Sequence, residues 1–300
     1  MLKIAFSPIY AHPLPENHRF PMLKYELLPE QLIYEGTATK ENFFEPIPIL
    51  EEKILRAHTS EYWNKLKTLS LTKKEERKTG FPLSAKLIER EITIAGGTIQ
   101  NAEFALKYGV SMNIAGGTHH AFTEHGEGFC LLNDIALGAY HLIDEHSFDK
   151  ILVVDLDVHQ GNGTAEIFEN EKRVFTFSMH GEKNYPYKKE NSDLDIELKD
   201  GTNDKTYLKV LRETLPKLIQ EQEPQFIFFQ SGVDILETDK LGRLGMTLQG
   251  CKERDKFVFQ ECKKNNIPVS VSMGGGYSPK IADIIEAHAN TYRLAHEIYF

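Results

Sequence analysis

Short β-branched and aromatic runs recur along the chain: LKIAF (2–6), SMNIA (111–115), KILVVDLD (150–157), RVFTFSM (173–179), QFIFFQ (225–230) and IPVSVSM (267–273). Several are too uniformly apolar for half-exposed strands and suit strands covered on both faces. Between them, helical spacing of apolar positions runs over 84–108, 134–146, 204–221, 250–265 and 278–297. This alternation predicts an α/β fold, a central parallel sheet with helices on both faces. No linker, internal repeat or low-complexity tract divides residues 1–300, so one domain is expected. The first 80 residues, rich in Pro, aromatics and His, are expected to be loops wrapping the sheet. The charged run KKEER (73–77) is expected to be a solvated loop or helix end without a functional task.

Nearly every predicted strand is followed by glycines and a polar residue able to do chemistry. The endings are GGTHHA (116–121), DLDVHQGNG (155–163), SMH (178–180), QSGVD (230–234) and GGGY (274–277). Ligands of an open parallel sheet bind outside the carboxyl ends of its strands, so the five segments are expected to meet in one crevice. With a strand period of two, Asp155, Asp157 and His159 project to one side. Unpaired charge there would be expensive, and a cation resolves it. Asp157, His159 and Asp234 give three ligands with a fourth position open, which suits a catalytic zinc ion, with iron or manganese as alternatives. His119 and His120 beside such a site can move protons, and Asp155 can orient His119 through its other ring nitrogen. Tyr277 offers an uncharged donor to an oxyanion, and Gly117 and Gly275 let backbone lie close to a ligand. Together these parts describe hydrolysis of an amide or ester.

Composition narrows the setting. Asp and Glu number 44 against 35 Lys and Arg, a net charge of -9, so no global basic field would draw the chain to nucleic acid. An acidic surface around the site would be compatible with cationic lysine-bearing or polyamine substrates. Three cysteines without a CxxC pair fit reduced thiols in a cytoplasm. No apolar run approaches a bilayer span and the first residues lack a cleavage-type signal, so the chain is expected to be soluble and cytoplasmic. Cys130 reads as a small buried residue lining the site, and Cys251 and Cys262 as helix core. His12, His18 and His58 are candidates to shape the entrance; His288 and His296 fall on the last helix as structural or exposed residues.

GGTHHA, GFCLLND (128–134), DLDVHQGNG, SGVD with DKLGRLGMT (239–247), and GGGY occur in an order that resembles the zinc-dependent histone deacetylase family. HPLPENHRFPMLKY (12–25) is similar to its class IV branch and bacterial relatives. The resemblance implies an arginase/deacetylase-like fold and zinc on Asp157, His159 and Asp234. It implies His120 as general base and acid, His119 as its electrostatic partner, Asp155 paired with His119, and Tyr277 on the substrate carbonyl. It further implies Phe129 and Tyr185 along an acyl-lysine tunnel, with Met246 near its floor or rim. A structural monovalent cation, usually potassium, is implied near Asp155, Asp157, His159 and Ser178. Where class I members carry a second Asp, this chain has Asn162, which can orient His120 but cannot stabilise its charge as an anion would, so a less elevated imidazole pKa is expected.

The function so implied is hydrolysis of acyl-lysine amides in a protein, with acetyl or long fatty acyl groups. An acetylpolyamine or other small-molecule amidohydrolase is the alternative. A catalytically silent acyl-lysine binding protein would be expected to lose Tyr277, a zinc ligand or the His pair, and all are present.

Overall fold

A computed structural model describes residues 1–300. Its eight strands are β1 (Lys3–Ala5), β2 (Phe43–Phe44), β3 (Val110–Asn113), β4 (Ile151–Asp155), β5 (Val174–Gly181), β6 (Leu194–Leu198), β7 (Phe226–Gln230) and β8 (Val269–Ser272). They form one sheet in the order β2-β1-β3-β8-β7-β4-β5-β6, with every pairing parallel. Every residue of β3, β4, β7 and β8 is buried, as strands covered on both faces must be.

The helices are α1 (Lys24–Tyr34), α2 (Glu51–Ile54), α3 (Ser60–Lys67), α4 (Lys73–Thr79), α5 (Ala85–Tyr108), α6 (Asp134–His146), α7 (Asn162–Phe168), α8 (Asp204–Gln222), α9 (Leu248–Lys264) and α10 (Ile281–Tyr299). α5 packs with α6 and against β1, β3 and β8, while α8, α9, α10 and α1 form a second contiguous row. Helix starts follow local chemistry: Ser84, Asn133 and Thr247 each accept a backbone N–H of the first turn. One hydrophobic cluster of 74 residues runs from Leu2 to Ala295. No helix is long and apolar enough to cross a membrane.

Two expectations change. The first 80 residues hold four helices rather than loops, and KKEER lies inside α4, closed by a Thr72–Glu75 capping box and by left-handed Gly80. β4 ends at Asp155, so Asp157 and His159 do not ride on strand alternation.

The register explains where the site sits. Asn113 pairs with Ser272, Ser272 with Gln230, Gln230 with Asp155, and Asp155 with Ser178. Four neighbouring strands, β3, β8, β7 and β4, thus finish in one polar row that Ser178 extends onto β5, which itself runs on to Gly181, and the loops that follow leave the sheet at the same edge.

Candidate active site

Beyond β4 the chain turns on its own carboxylates. Asp155 Oδ1 accepts the Asp157 N–H at 3.1 Å, and Asp157 Oδ1 accepts the His159 N–H at 3.0 Å. These side-chain-capped turns replace pleating as the reason the three side chains cluster. Asp234, after β7, accepts the Val158 N–H at 2.9 Å. His159 Nδ1 then lies 3.1 Å from both Asp157 and Asp234.

All three donor side chains are buried, with their ligating atoms within 4.8 Å of one another. Burial and then the charge of Asp157 push the Asp234 carboxyl up. Burial alone would lower His159, but the two carboxylates raise it. Two carboxylates and an imidazole converging in so dry a place match the donor set of a divalent ion such as zinc. Gly275 shows how tightly the cradle is built: its N–H donates to Asp157 Oδ2 at 2.8 Å, and a Cβ there would lie 2.0 Å from Asp234 Oδ2. Gly117, at φ 74°, lets the histidine loop pass Gln230, whose Nε2 donates to the Gly117 carbonyl at 2.9 Å.

His119 Nδ1 donates to Asp155 at 2.7 Å, and His120 Nδ1 donates to the Asn162 carbonyl at 2.6 Å. Burial opposes charge on His119, yet Asp155 and Asp157 raise its pKa. His120 goes the other way, held well below the ordinary range first by burial and then by His119 and His159. The neutral imidazole at His120 is the form able to accept a proton. Burial, followed by the charges of Asp234 and Asp157, keeps the Tyr277 phenol protonated.

An inner cavity of about 40 Å³ is lined by His119, His120, Asp157, His159, Phe129 and Tyr277, among others, including Cys130, Arg90 and Tyr25. A mouth of about 410 Å³ shares His120, His159, Phe129 and Tyr277 and adds Tyr185. Phe129 sits at φ 69°, a conformation costly for a bulky residue. The carboxyl end of α4 holds it there: Gly128 N–H donates to Lys78 O at 3.1 Å and Phe129 N–H to Thr79 O at 2.7 Å. The helix that contains the charged run thus braces the cavity wall through its last two residues, Lys78 and Thr79.

Met246 lies elsewhere. It is fully buried in the core and lines neither cavity, because its backbone bridges to Ile235 and Glu237 and draws the side chain inward. Of the four residues assigned to a monovalent cation, Asp155 and Ser178 are direct register partners, and Ser178 Oγ is 2.9 Å from His180 Nδ1. Asp157 and His159 stand with Asp234 in the cluster that could hold a metal ion. His18 reaches the entrance wall, its ring 6.0 Å from that of Phe129, whereas His12 packs on Phe81 and His58 locks a buried turn. Cys130, Cys251 and Cys262 are buried and free; His288 is buried and His296 exposed.

The electrostatics of the mouth also reverse an expectation. Its seventeen lining residues include Arg19, Lys78, Lys183, Lys240 and Arg243 and no Asp or Glu, although the chain as a whole is acidic.

Several further residues support the site: Glu127 and Arg254 stand outside the motifs named above, whereas Asp134 closes GFCLLND and Asp239 opens DKLGRLGMT. Glu127 accepts the Asn162 amide at 2.6 Å and pairs with Lys78 at 2.6 Å. Burial opposes charge on Glu127, but His125 and then Lys78 hold it well below the usual carboxylate range. Arg254, fully buried on α9, donates to the carbonyls of Leu156 and Gly232 and to Asp255, tying together the loops that carry Asp157 and Asp234. Asp134 accepts from Thr98, Thr118 and Ser272, fixing the histidine loop to β8, and Asp239 accepts the Tyr277 N–H.

A sequence profile of the histone deacetylase domain matches residues 18–292. The chain belongs to the histone deacetylase family. This family member is 40% identical over 296 residues to an uncharacterized protein of Picosynechococcus sp., covering 99% of each chain. It is 29% identical to histone deacetylase 2 of Arabidopsis thaliana, covering 89% of this chain and 72% of that one. It is 31% identical to histone deacetylase RPD3 of Saccharomyces cerevisiae, covering 81% of this chain and 60% of that one. Among solved structures, an HDAC homolog from Aquifex aeolicus superposes with a TM-score of 0.83 at 25% identity, covering 97% of this chain and 82% of that one. An HDAC homolog complexed with SAHA gives 0.83 at 25% identity, covering 99% and 84%. The arginase/deacetylase-like fold and a deacetylase-type hydrolase domain follow from this membership.

Proposed function

We propose that this histone deacetylase family member, acting as one catalytic domain over 1–300, hydrolyses the amide of an acylated lysine side chain in a zinc-dependent reaction. The observation that carries the reading is that His119, His120 and Tyr277 line the same inner cavity as Asp157 and His159. Asp157, His159 and Asp234 would hold the ion, which when bound would supply Lewis acidity to the amide carbonyl and the attacking water. His120, its Nδ1 tied to Asn162, takes the proton of that water on its other ring nitrogen and delivers it to the departing amine. His119, fixed by Asp155, supplies a polarised neighbour whose ring lies 4.1 Å from that of His120. Tyr277 donates its phenol to the carbonyl oxygen as charge develops.

The inner volume of about 40 Å³ favours a short acyl group such as acetyl, since about 10–15 Å³ of such space is needed for each water-sized group. The basic mouth disfavours acetylpolyamines, which are cations. Three free buried thiols accord with a reducing cytoplasm.

Acetyl-lysine, myristoyl-lysine and acetylpolyamine substrates, assayed with metal analysis and His120→Ala as control, test the proposal. Acetyl-lysine should be cleaved fastest and the variant should be inactive. Zinc-loaded protein that cleaves none of the three would overturn the reading.

A further inference from the structure

The mouth is the one part of the active-site region whose charge opposes that of the whole chain. Arg19 precedes α1, Lys78 lies in the last turn of α4, Lys183 follows β5, and Lys240 and Arg243 follow β7, so four separate segments deliver cations to one opening. Two are already matched: Lys78 pairs with Glu127 at 2.6 Å and Arg243 with Asp200 at 3.3 Å. Arg19, Lys183 and Lys240 have no carboxylate within 4.0 Å. All three are exposed, and the Arg19 guanidinium rests 5.0 Å above the ring of Phe129, at the point where the mouth narrows into the inner cavity.

Position within the cavity decides which part of a substrate meets these cations. The inner cavity behind His119, His120 and Tyr277 takes the acyl group, and the mouth therefore faces the amine side, the chain that carries the lysine. Groups just outside a modified lysine are its sequence neighbours. Unpaired cations gathered around a concave opening attract anions and repel cations, and like-charge juxtaposition is an effective means of rejecting the wrong partner.

We infer that this enzyme selects acyl-lysines flanked by acidic residues, and that the unpaired cations Arg19, Lys183 and Lys240 at the mouth make the selection. The inference rests on the deacylase reading and adds to it the sequence context of the substrate. Arg-rich and Lys-rich tails, and polyamines, meet the same rim with charge of its own sign.

The test uses the zinc-loaded full chain and three peptides with one acetyl-lysine each, flanked by glutamates, glycines or arginines. At low salt kcat/KM for the Glu-flanked peptide should exceed that for the Arg-flanked one by about tenfold or more. The ratio should fall toward one in 1 M salt, where the Debye length is about 3 Å. Lys183→Glu combined with Lys240→Glu should bring the low-salt ratio below one. A variant that merely folds poorly lowers both rates together and leaves the ratio in place, so the ratio reads charge alone. A low-salt ratio at or below one in the wild type, with the Gly-flanked peptide cleaved, overturns the inference and leaves the deacylase reading standing. Failure to cleave even the Gly-flanked peptide overturns that reading and this inference with it.

Discussion

The side-chain amide of Asn162 donates to Glu127 at 2.6 Å while its carbonyl accepts from His120 at 2.6 Å. A flip of the amide would set its carbonyl oxygen against the Glu127 carboxylate, so Asn162 passes a fixed orientation from a buried carboxylate to the imidazole. The anion that an aspartate would place directly on His120 is displaced by one side chain. Glu127 is thus a positioning residue, held charged by His125 and Lys78.

Glu127→Gln keeps the shape and removes the charge. It should lower kcat by about tenfold while changing KM little, since supporting partners of this kind typically cost about 10–100-fold. Asn162→Asp alone sets two carboxylates against each other and should be slower than Asn162→Asp combined with Glu127→Gln. Steady-state kinetics on acetyl-lysine peptide check both, and an unchanged kcat in Glu127→Gln would show that the charge is idle.

Tyr277→Phe removes only a hydroxyl from a ring already fixed among Phe20, Phe129 and His159. Folding and metal content should be retained, while loss of the donor costs ~3 kcal/mol in the transition state, about 100-fold in kcat. If kcat matches the wild type, the phenol does not hold the oxyanion.

Much of this site was legible because its chemistry is written in short local strings. Asp155, Asp157 and His159 stand out in any reading of an apolar strand, even though the structural reason for their convergence is a pair of carboxylate-capped turns beyond Asp155. The central strands were legible for a similar reason, since burial on both faces leaves an unbroken apolar run. β2 has two residues and β6 is a half-exposed edge strand, so neither leaves such a run. α1 carries Pro29 inside it, and α4 is almost wholly charged; both depend on tertiary contacts that local pattern does not encode. Glu127 and Arg254 were illegible because their partners lie far along the chain, Asn162 35 residues away and Leu156 98.

Arg254 carries a stability prediction of its own. Its guanidinium is fully buried and serves Asp255, Ser231 and the carbonyls of Leu156 and Gly232. Arg254→Leu strands the Asp255 charge in the core and should destabilise the fold by about 3–5 kcal/mol, the usual cost of breaking a buried pair from one side. Adding Asp255→Asn removes the stranded charge, so the double variant should be more stable than Arg254→Leu alone. Denaturant unfolding measures both; equal midpoints would mean that the ion pair is not the source of the loss.

His58 sets a pH dependence of folding. Its Nδ1 donates to the Phe122 carbonyl at 2.9 Å and its Nε2 accepts the Asn133 N–H at 3.0 Å, so both ring nitrogens are satisfied in the neutral form and a second proton would break a contact. Burial lowers its pKa from 6.5 to about 4. Between those values the unfolded chain binds the proton and the folded chain does not, so stability rises with pH. The contribution is fully present above pH 6.5 and is lost progressively as pH falls toward 4, amounting to about 3 kcal/mol over that window. His12, also lowered to about 4 chiefly by burial, acts in the same direction. In urea unfolding from pH 7.5 to 4, His58→Gln should flatten the fall in stability without abolishing it. Parallel curves for the variant and the wild type would exclude His58 as the titrating group.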